Sequence, residues 1–210
     1  MASSKLCFAL DSTEAIIALN GLVRSLVAKE HDVFFLLDIS VVPQTFGFMH
    51  GTHIRFWVYS NANERHERIT KLEGHGYEVH ILGRSIRWEA VYDSWDLSPG
   101  VMYDGMSARR DVSRENDHLE KVCDTYGQSY IVCEGPVDFS KIPRGIPHLT
   151  LTYTSILDMC GILNEAMYLH STGGPLMVLA DVLDLKCKRV YHGKRDGCTF
   201  PYRHTEFIEY

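Results

Sequence analysis

The stretch His170-Ser171-Thr172-Gly173-Gly174-Pro175 has the residue types of a phosphate-binding turn. It joins a predicted strand to a predicted helix. Two adjacent glycines let the backbone approach a ligand closely, and the first turn of a helix presents free N–H groups at the positive end of its dipole. Ser171 and Thr172 would add hydroxyl donors, although the lysine of a Walker loop is missing. The stretch therefore predicts either a phosphate loop or a tight turn with a Ser or Thr helix cap.

Asp11 directly follows the first predicted strand, at what should be the carboxyl edge of a parallel sheet. Open α/β sheets bind their ligands at that edge. A carboxylate there could act as a general base and remove the proton of a hydroxyl acceptor. The alternative is that Asp11 only caps the helix that follows it.

Basic residues concentrate in two stretches of the chain. Arg109, Arg110 and Arg114 form the first. The second comprises six residues, Lys186, Lys188, Arg189, His192, Lys194 and Arg195. Charge runs usually form a solvated surface, but each stretch adjoins a predicted loop where guanidinium and ammonium groups could hold a diphosphate.

Glu134 ends a predicted strand just before a Gly-Pro turn. Its carboxylate could accept a hydrogen bond from a ribose or sugar hydroxyl, or simply be exposed to solvent. The eleven histidines are scattered and form no H-E-x-x-H pair, so no zinc site is predicted. A serine-hydrolase elbow, G-x-S-x-G, is also missing from the sequence.

Alternating apolar and amphipathic segments predict the scaffold that carries these residues. In the first part of the chain we expect strands at 5–10, 32–38, 54–60 and 78–83, and helices at 11–30 and 61–76. Residues 87–111 hold aromatic side chains between Ser, Pro and Gly, which predicts loops and short pieces that bridge two halves.

The second part of the chain repeats this alternation. Helices are expected at 112–127, 155–166 and 175–185, and strands at 129–135, 148–153, at the start of 167–174, and finally at 186–193, the last strand. Apolar strands that alternate with helices predict an α/β fold with parallel βαβ units, covered on both faces.

Composition and charge exclude several classes of protein. The 210 residues are 45% hydrophobic and 23% charged, which is ordinary for a globular chain and excludes a disordered or fibrous one. The net charge of -6 argues against a general nucleic-acid coat or an anionic-membrane binder, although a local basic site is compatible with it. The six cysteines form no C-x-x-C pair, so we expect reduced thiols and a cytoplasmic protein. Neither a signal peptide nor a membrane-spanning segment is expected.

Five sequence blocks resemble the glycosyltransferase family nine (heptosyltransferase-like) superfamily, especially its short phage and bacterial sugar-transferase types. In chain order they read DSTEAIIALNGLVRSLV, MYDGMSARRDVSREN, SYIVCEGP, SILDMCGILNEAMYLHSTGGPLMVLADVL and VYHGKR. The family pattern differs at three places. Cys133 stands where the family typically has His, Leu10 where it often has Gly, and Ser171 to Pro175 where it reads more like Asp-Ser-Gly-Pro.

The resemblance implies a compact GT-B-like architecture of two small Rossmann-like halves with mainly parallel sheets. We expect the boundary after Gly127, with residues 1–127 on the acceptor side and residues 128–210 on the nucleotide-sugar side. The nucleotide-sugar would be a co-substrate, and no cofactor or metal is expected. Asp11 is the implied catalytic base. The implied donor-binding residues are Ser171, Thr172, Gly173, Gly174, Glu134, Arg110, His192 and Lys194.

The implied reaction is sugar transfer from a nucleotide-sugar to a hydroxyl acceptor, with inversion of the anomeric centre. One candidate acceptor is a hydroxymethylated DNA base of a phage, which would need to be flipped or single-stranded. Trp88, Trp95 or Tyr103 could then stack on a base, or else pack within the fold. Two alternatives remain: a saccharide or lipid-linked glycan as acceptor, and a nucleotide-binding module without catalysis. The oligomeric state is not predicted.

Overall fold

Two parallel β-sheets, each in its own compact unit, organise the chain in a computed structural model that describes residues 3–82 and 86–209. Unit 1 is Met1–Arg109 and unit 2 is Arg110–Tyr210. None of the helices in the described ranges is long and apolar enough to cross a membrane.

Unit 1 is built on a four-stranded sheet with the order β3-β2-β1-β4. Its strands are β1 (Lys5–Leu10), β2 (Asp32–Asp38), β3 (Arg55–Tyr59) and β4 (Glu78–Leu82), and all their pairings are parallel. Its helices are α1 (Thr13–Ala28), α2 (Val42–Phe48), α3 (Ala62–Gly74), α4 (Trp88–Asp93) and α5 (Val101–Asp104).

The core of unit 1 follows from the apolar strands. β1 and β2 are buried almost throughout, because helices cover the sheet. Leu72 of α3 packs with Phe34 and Leu36 on one face. Helix α1 packs closely on α5, since a Cβ on Gly21 would overlap the Val101 carbonyl.

Unit 2 contains a five-stranded sheet with the order β6-β5-β7-β8-β9, again wholly parallel. Its strands are β5 (Ile131–Glu134), β6 (His148–Leu149), β7 (Tyr168–Ser171), β8 (Lys188–His192) and β9 (Thr205–Ile208). Its helices are α6 (Val112–Tyr126), α7 (Cys160–Glu165), preceded by a 3-10 turn at Ile156–Met159, and α8 (Pro175–Val182).

Most predicted elements match the structure to within a few residues, and two do not. The strand predicted at 148–153 is limited to His148–Leu149. The prediction that 186–193 is the last strand is wrong, since β9 pairs with β8 further along the chain. β9 is held there by Asp181, whose carboxylate accepts from the N–H groups of Arg203 (3.0 Å) and His204 (3.2 Å).

The division between the units lies after Arg109, whereas the sequence prediction placed it after Gly127. Helix α6 belongs to unit 2 because it packs on α7 and on the turn before it. Arg114 pairs with Asp158 at 2.5 Å, and a Cβ on Gly161 would lie 3.2 Å from the Glu115 carbonyl oxygen. The helix is therefore part of the second core and not of the first half, to which the sequence prediction assigned it.

Candidate active-site residues at the sheet edges

In each unit the carboxyl ends of all strands meet at one edge, since every pairing is parallel. In unit 1 that edge carries Asp11. In unit 2 it carries Glu134, the segment 171–174, His192 and Lys194. The topology thus places all but one of the predicted site residues at carboxyl edges; the exception, Arg110, lies just before α6.

Asp11 is exposed and does not cap the helix that follows it. The cap of α1 is Ser12, whose Oγ accepts from the Ala15 N–H at 3.2 Å. The alternative that Asp11 serves as an N-cap is therefore wrong. Within the described ranges Asp11 makes no hydrogen bond or ion pair, so its carboxylate is available to a bound hydroxyl.

Tyr59 and Asp38 lie at the same edge as Asp11. The Tyr59 hydroxyl donates to the Leu10 carbonyl, and the Arg65 guanidinium lies 5.7 Å from the centre of the tyrosine ring. Burial raises the pKa of Tyr59, and the negative charges of Asp11 and Asp38 raise it further against the lowering effect of Arg65. Asp38 is occupied locally, because its Oδ1 accepts from the N–H (2.9 Å) and hydroxyl (2.6 Å) of Ser40.

Ser171 organises the turn between β7 and α8. Its Oγ accepts from the N–H groups of Gly173 (3.0 Å) and Gly174 (3.1 Å), and it donates to Glu134 Oε2 at 2.8 Å. A serine hydroxyl has one proton and two lone pairs, so all three are used. In this structure Ser171 holds the turn together and has no donor left for a phosphate.

Glu134 caps helix α8 from the neighbouring strand β5. Its Oε1 accepts from the Leu176 N–H (2.8 Å) and its Oε2 from the Met177 N–H (3.2 Å). A carboxylate is the expected partner for the positive end of a helix. The helix amides predicted to bind a phosphate are thus bonded to the chain's own carboxylate here.

The two glycines of the turn are required by its own packing. A Cβ on Gly174 would lie 2.6 Å from Glu134 Oε1. Gly173 has a φ of 101°, and a Cβ there would lie 2.9 Å from the Tyr191 ring. The glycine pair therefore makes room for Glu134 and Tyr191, while the Thr172 hydroxyl makes no hydrogen bond to another described residue.

His192 and His170 form a buried hydrogen-bonded pair beneath this edge. His192 Nε2 and His170 Nδ1 are 2.8 Å apart, and the Asp138 N–H donates to His192 Nδ1 at 3.3 Å. His192 Nδ1 is then an acceptor, so in the neutral ring Nε2 carries the proton and donates to His170 Nδ1. His170 must carry its own proton on Nε2, which is buried without a partner among the described residues.

Burial, together with the smaller effect of the neighbouring His192, lowers the pKa of His170 from 6.5 to about 4. Burial also lowers the pKa of His192, although the charge of Asp138 opposes this. Both rings are therefore held neutral near pH 7.

We expect this histidine pair to make folding sensitive to acid. The unfolded chain binds a proton on His170 below pH 6.5 and the folded chain does not until about pH 4. The contribution of His170 to the free energy of unfolding is thus fully present above pH 6.5. It falls by up to about 3 kcal/mol as the pH drops to about 4. Urea unfolding at several pH values measures the loss. An NMR titration of His170 that gives a pKa near 6.5 would contradict it, and exposed His66→Gln should leave the slope unchanged.

Strand β8 divides the second basic stretch. Lys186 and Lys188 lie at its amino end and Lys194 beyond its carboxyl end, and five residues of strand span roughly 16 Å. Arg189 is buried, and its guanidinium donates to the carbonyl groups of Ala180 (3.0 Å) and Leu185 (2.7 Å). Lys194 and Arg195 are both exposed beyond the carboxyl end of β8, but the Arg195 guanidinium lies 5.2 Å from the centre of the Phe207 ring.

Arg110 is occupied by an ion pair within unit 2. Its Nε donates to Glu115 Oε1 at 2.7 Å, and its Nη2 bonds to Glu115 Oε2. Glu115 is only 1% exposed, so this arginine neutralises a buried charge. The pair anchors the start of α6, a role that the sequence did not suggest.

The aromatic residues proposed to stack on a base are largely used for packing. Trp88 is 3% exposed, and Trp95 makes edge contacts with Phe8, His31 and His80. Among the described residues, no group of three or more His, Cys, Asp or Glu side chains is placed to hold a metal ion. All six cysteines are free thiols.

Sequence reasoning missed two residues that shape these edges. Tyr191 packs against Gly173 and Gly193, and Asp138 fixes the His192 tautomer. The sequence predicts Ser12 or Thr13 as the cap of the first helix, and Ser12 is the cap in the structure. The contacts of Tyr191 and Asp138 depend on strand pairing and carry no local signal.

Comparison with known proteins identifies the fold. No protein-family model and no curated protein sequence matches the chain. A solved structure does: the crystal structure of the glycosyl transferase family 9 from Veillonella parvula DSM 2008 superposes with a TM-score of 0.56. The identity is 8%, and the match covers 100% of this chain and 87% of that one. The predicted α/β, GT-B-like architecture is therefore confirmed, and the chain has the fold of a family nine glycosyltransferase.

Proposed function

We propose that this protein is a glycosyltransferase that moves a sugar from a nucleotide-sugar donor to a hydroxyl acceptor. The observation that carries the proposal is the fold shared over the whole chain with a glycosyl transferase family 9 structure. The exposed carboxylate of Asp11 at the carboxyl edge of unit 1 supports it further, because open α/β proteins place their chemistry there.

In the proposed reaction, Asp11 takes the proton of the acceptor hydroxyl as its oxygen attacks the anomeric carbon. A carbon–oxygen bond forms, the bond from that carbon to the diphosphate breaks, and the nucleoside diphosphate leaves with the electron pair. A single displacement of this kind inverts the anomeric centre. General-base assistance of this type contributes about 10²- to 10⁴-fold in rate.

We assign the donor to the carboxyl edge of unit 2. Lys194 and the Thr172 hydroxyl are the groups there whose side chains have no other partner among the described residues, and they suit the diphosphate. Glu134 accepts three hydrogen bonds through Ser171, Leu176 and Met177. These bonds hold the turn and the start of α8 in place at the donor edge.

The remaining predicted donor residues in unit 2 stabilise the structure of this edge. Ser171, Gly173 and Gly174 set the shape of the turn, and His192 lies below it. Arg110 is left out of the proposal, because it neutralises Glu115.

For the acceptor, we favour a saccharide or lipid-linked glycan over a DNA base. Trp88 is buried, and Trp95 and Tyr103 are half-buried, which leaves little aromatic surface for a flipped base. Strand β8 also separates the basic residues of the second stretch. Binding of a hydroxymethylated oligonucleotide that weakens steeply with added salt would reverse this preference.

The test is a thermal-shift screen of nucleotide-sugars with the full chain. A bound donor at about 100 times its dissociation constant stabilises the folded state by about 2.7 kcal/mol, which is readily detected. We expect at least one donor to raise the melting temperature, and its effect to weaken in Lys194→Gln but not in Lys186→Gln at the opposite end of β8. No shift with any donor at millimolar concentration would refute the proposal.

A further inference from the structure

An apolar pocket lies in unit 1 on the sheet face opposite α3. Phe35 and Phe56 are register partners on β2 and β3, and side chains alternate faces along a strand. Since Phe34 and Leu36 pack toward Leu72 of α3, Phe35 faces the other way. Helix α2 and the segment 49–54 complete the pocket.

The pocket has the size and lining of a small-molecule site. Its volume is about 390 Å³, within the usual range of 300–1,000 Å³ for ligand pockets. Phe35 is fully buried, whereas Phe46 is 60% and Phe56 37% exposed. The rings of Phe46 and Phe56 meet edge to face with centroids 5.6 Å apart. Two large aromatic side chains exposed beside a cavity mark a surface suited to an apolar partner.

The polar part of the lining is cationic. The Arg109 N–H donates to the Gly47 carbonyl at 2.9 Å, which fixes its backbone beside α2. Within residues 3–82 and 86–209 its guanidinium has no ion pair or hydrogen bond, and the pocket lining contains no Asp or Glu. The two lining threonines donate internally, Thr45 to the Val41 carbonyl and Thr52 to the Met49 carbonyl. Arg109 and the imidazole of His50, which also lines the pocket, are therefore the groups left to recognise a ligand, and of these Arg109 has the planar donor fork that suits an anion.

We propose that this pocket binds a small organic monoanion with an apolar body, such as an aryl or acyl carboxylate. The carboxylate would bond to the Arg109 guanidinium, whose planar donor fork matches two carboxylate oxygens. The apolar body would lie against Phe46 and Phe56 and remove their exposed rings from water. The pocket lies on the face of the sheet and takes no residue from the edge proposed for sugar transfer, so the inference does not depend on that proposal.

The inference is tested by titrating the full chain with naphthoate and with octanoate while recording amide NMR spectra. We expect saturable shifts centred on residues 45–56. The ligand that binds more tightly shows whether the pocket prefers an aryl or an acyl group as the apolar body. Naphthylmethanol, which has the same ring without the charge, should bind at least about tenfold more weakly, as expected for the loss of a charge-assisted hydrogen bond.

Substitutions in the pocket lining test whether the carboxylate binds there. Arg109→Gln and Phe46→Ala should each weaken the carboxylate about tenfold or more, and both residues are exposed enough for the fold to survive, which the same spectra check. Arg68→Gln on α3, outside the pocket lining, should have no effect. The inference is overturned by shifts outside the pocket, by equal affinity for the neutral alcohol, by unchanged affinity in Arg109→Gln, or by no saturable shift at millimolar ligand.

Discussion

Asp11→Asn should reduce the rate of sugar transfer by about 10²- to 10⁴-fold, the usual contribution of a general base. The amide keeps the shape of the side chain but cannot take a proton. Because Ser12 and not Asp11 caps α1, the variant should keep its stability. Because the donor is assigned to unit 2, its affinity should also be unchanged. Transfer rate, melting temperature and donor titration measure the three quantities separately.

Asp93→Asn is the matched control for this substitution. Asp93 is an exposed aspartate at the end of α4, away from the carboxyl edge, so the same change there should leave transfer intact. A transfer rate in Asp11→Asn equal to that of the wild type would remove Asp11 from the mechanism. A large loss of stability would instead assign it a structural role.

Glu134→Ala should destabilise the fold and weaken donor binding together. The change leaves the N–H groups of Leu176 and Met177 and the hydroxyl of Ser171 without their acceptor. Loss of a helix cap and of a charged hydrogen bond costs about 1–3 kcal/mol. Since Ser171 holds Gly173 and Gly174, the turn beside Thr172 would lose its position, and we expect donor affinity to fall by about tenfold or more.

Urea unfolding and donor titration test the Glu134 prediction, with two further variants. Glu134→Gln retains one carbonyl acceptor and should give an intermediate loss of stability. Glu206→Gln on β9 is exposed and should be neutral. The opposite outcome is informative: if Glu134→Ala bound inorganic phosphate or the donor more tightly, Glu134 would be competing with the phosphate for the amides of α8 rather than positioning the turn.

The sequence predicted those parts of the fold that depend on local pattern. Long apolar runs such as Asp32–Asp38 and amphipathic segments such as Thr13–Ala28 carry their own signal. β9 was missed because it has only four residues, and its place is fixed by Asp181, more than twenty residues earlier. Helix α6 was correctly predicted, but its packing partners, which decide the unit it joins, are not visible in a local pattern.

The candidate site likewise has features that the sequence predicts and features that it does not. Topology alone brings Asp11 and the 171–174 turn to carboxyl edges, so their positions were predictable. The contact between the turn and Glu134 was not predictable. Glu134 lies about forty residues before Leu176 in sequence and reaches it only through the pairing of β5 with β7. The pairing of His170 with His192 likewise depends on strand register.

The most direct test of the central claim is release of nucleoside diphosphate from a bound nucleotide-sugar, measured by phosphorus NMR with a panel of saccharide acceptors and a hydroxymethylated oligonucleotide. The account predicts acceptor-dependent release by the wild type, together with a new glycosidic bond on the acceptor, and loss of both in Asp11→Asn. A donor that binds but is never cleaved, with any of these acceptors or with water, would contradict the account and identify the protein as a nucleotide-binding module without catalysis.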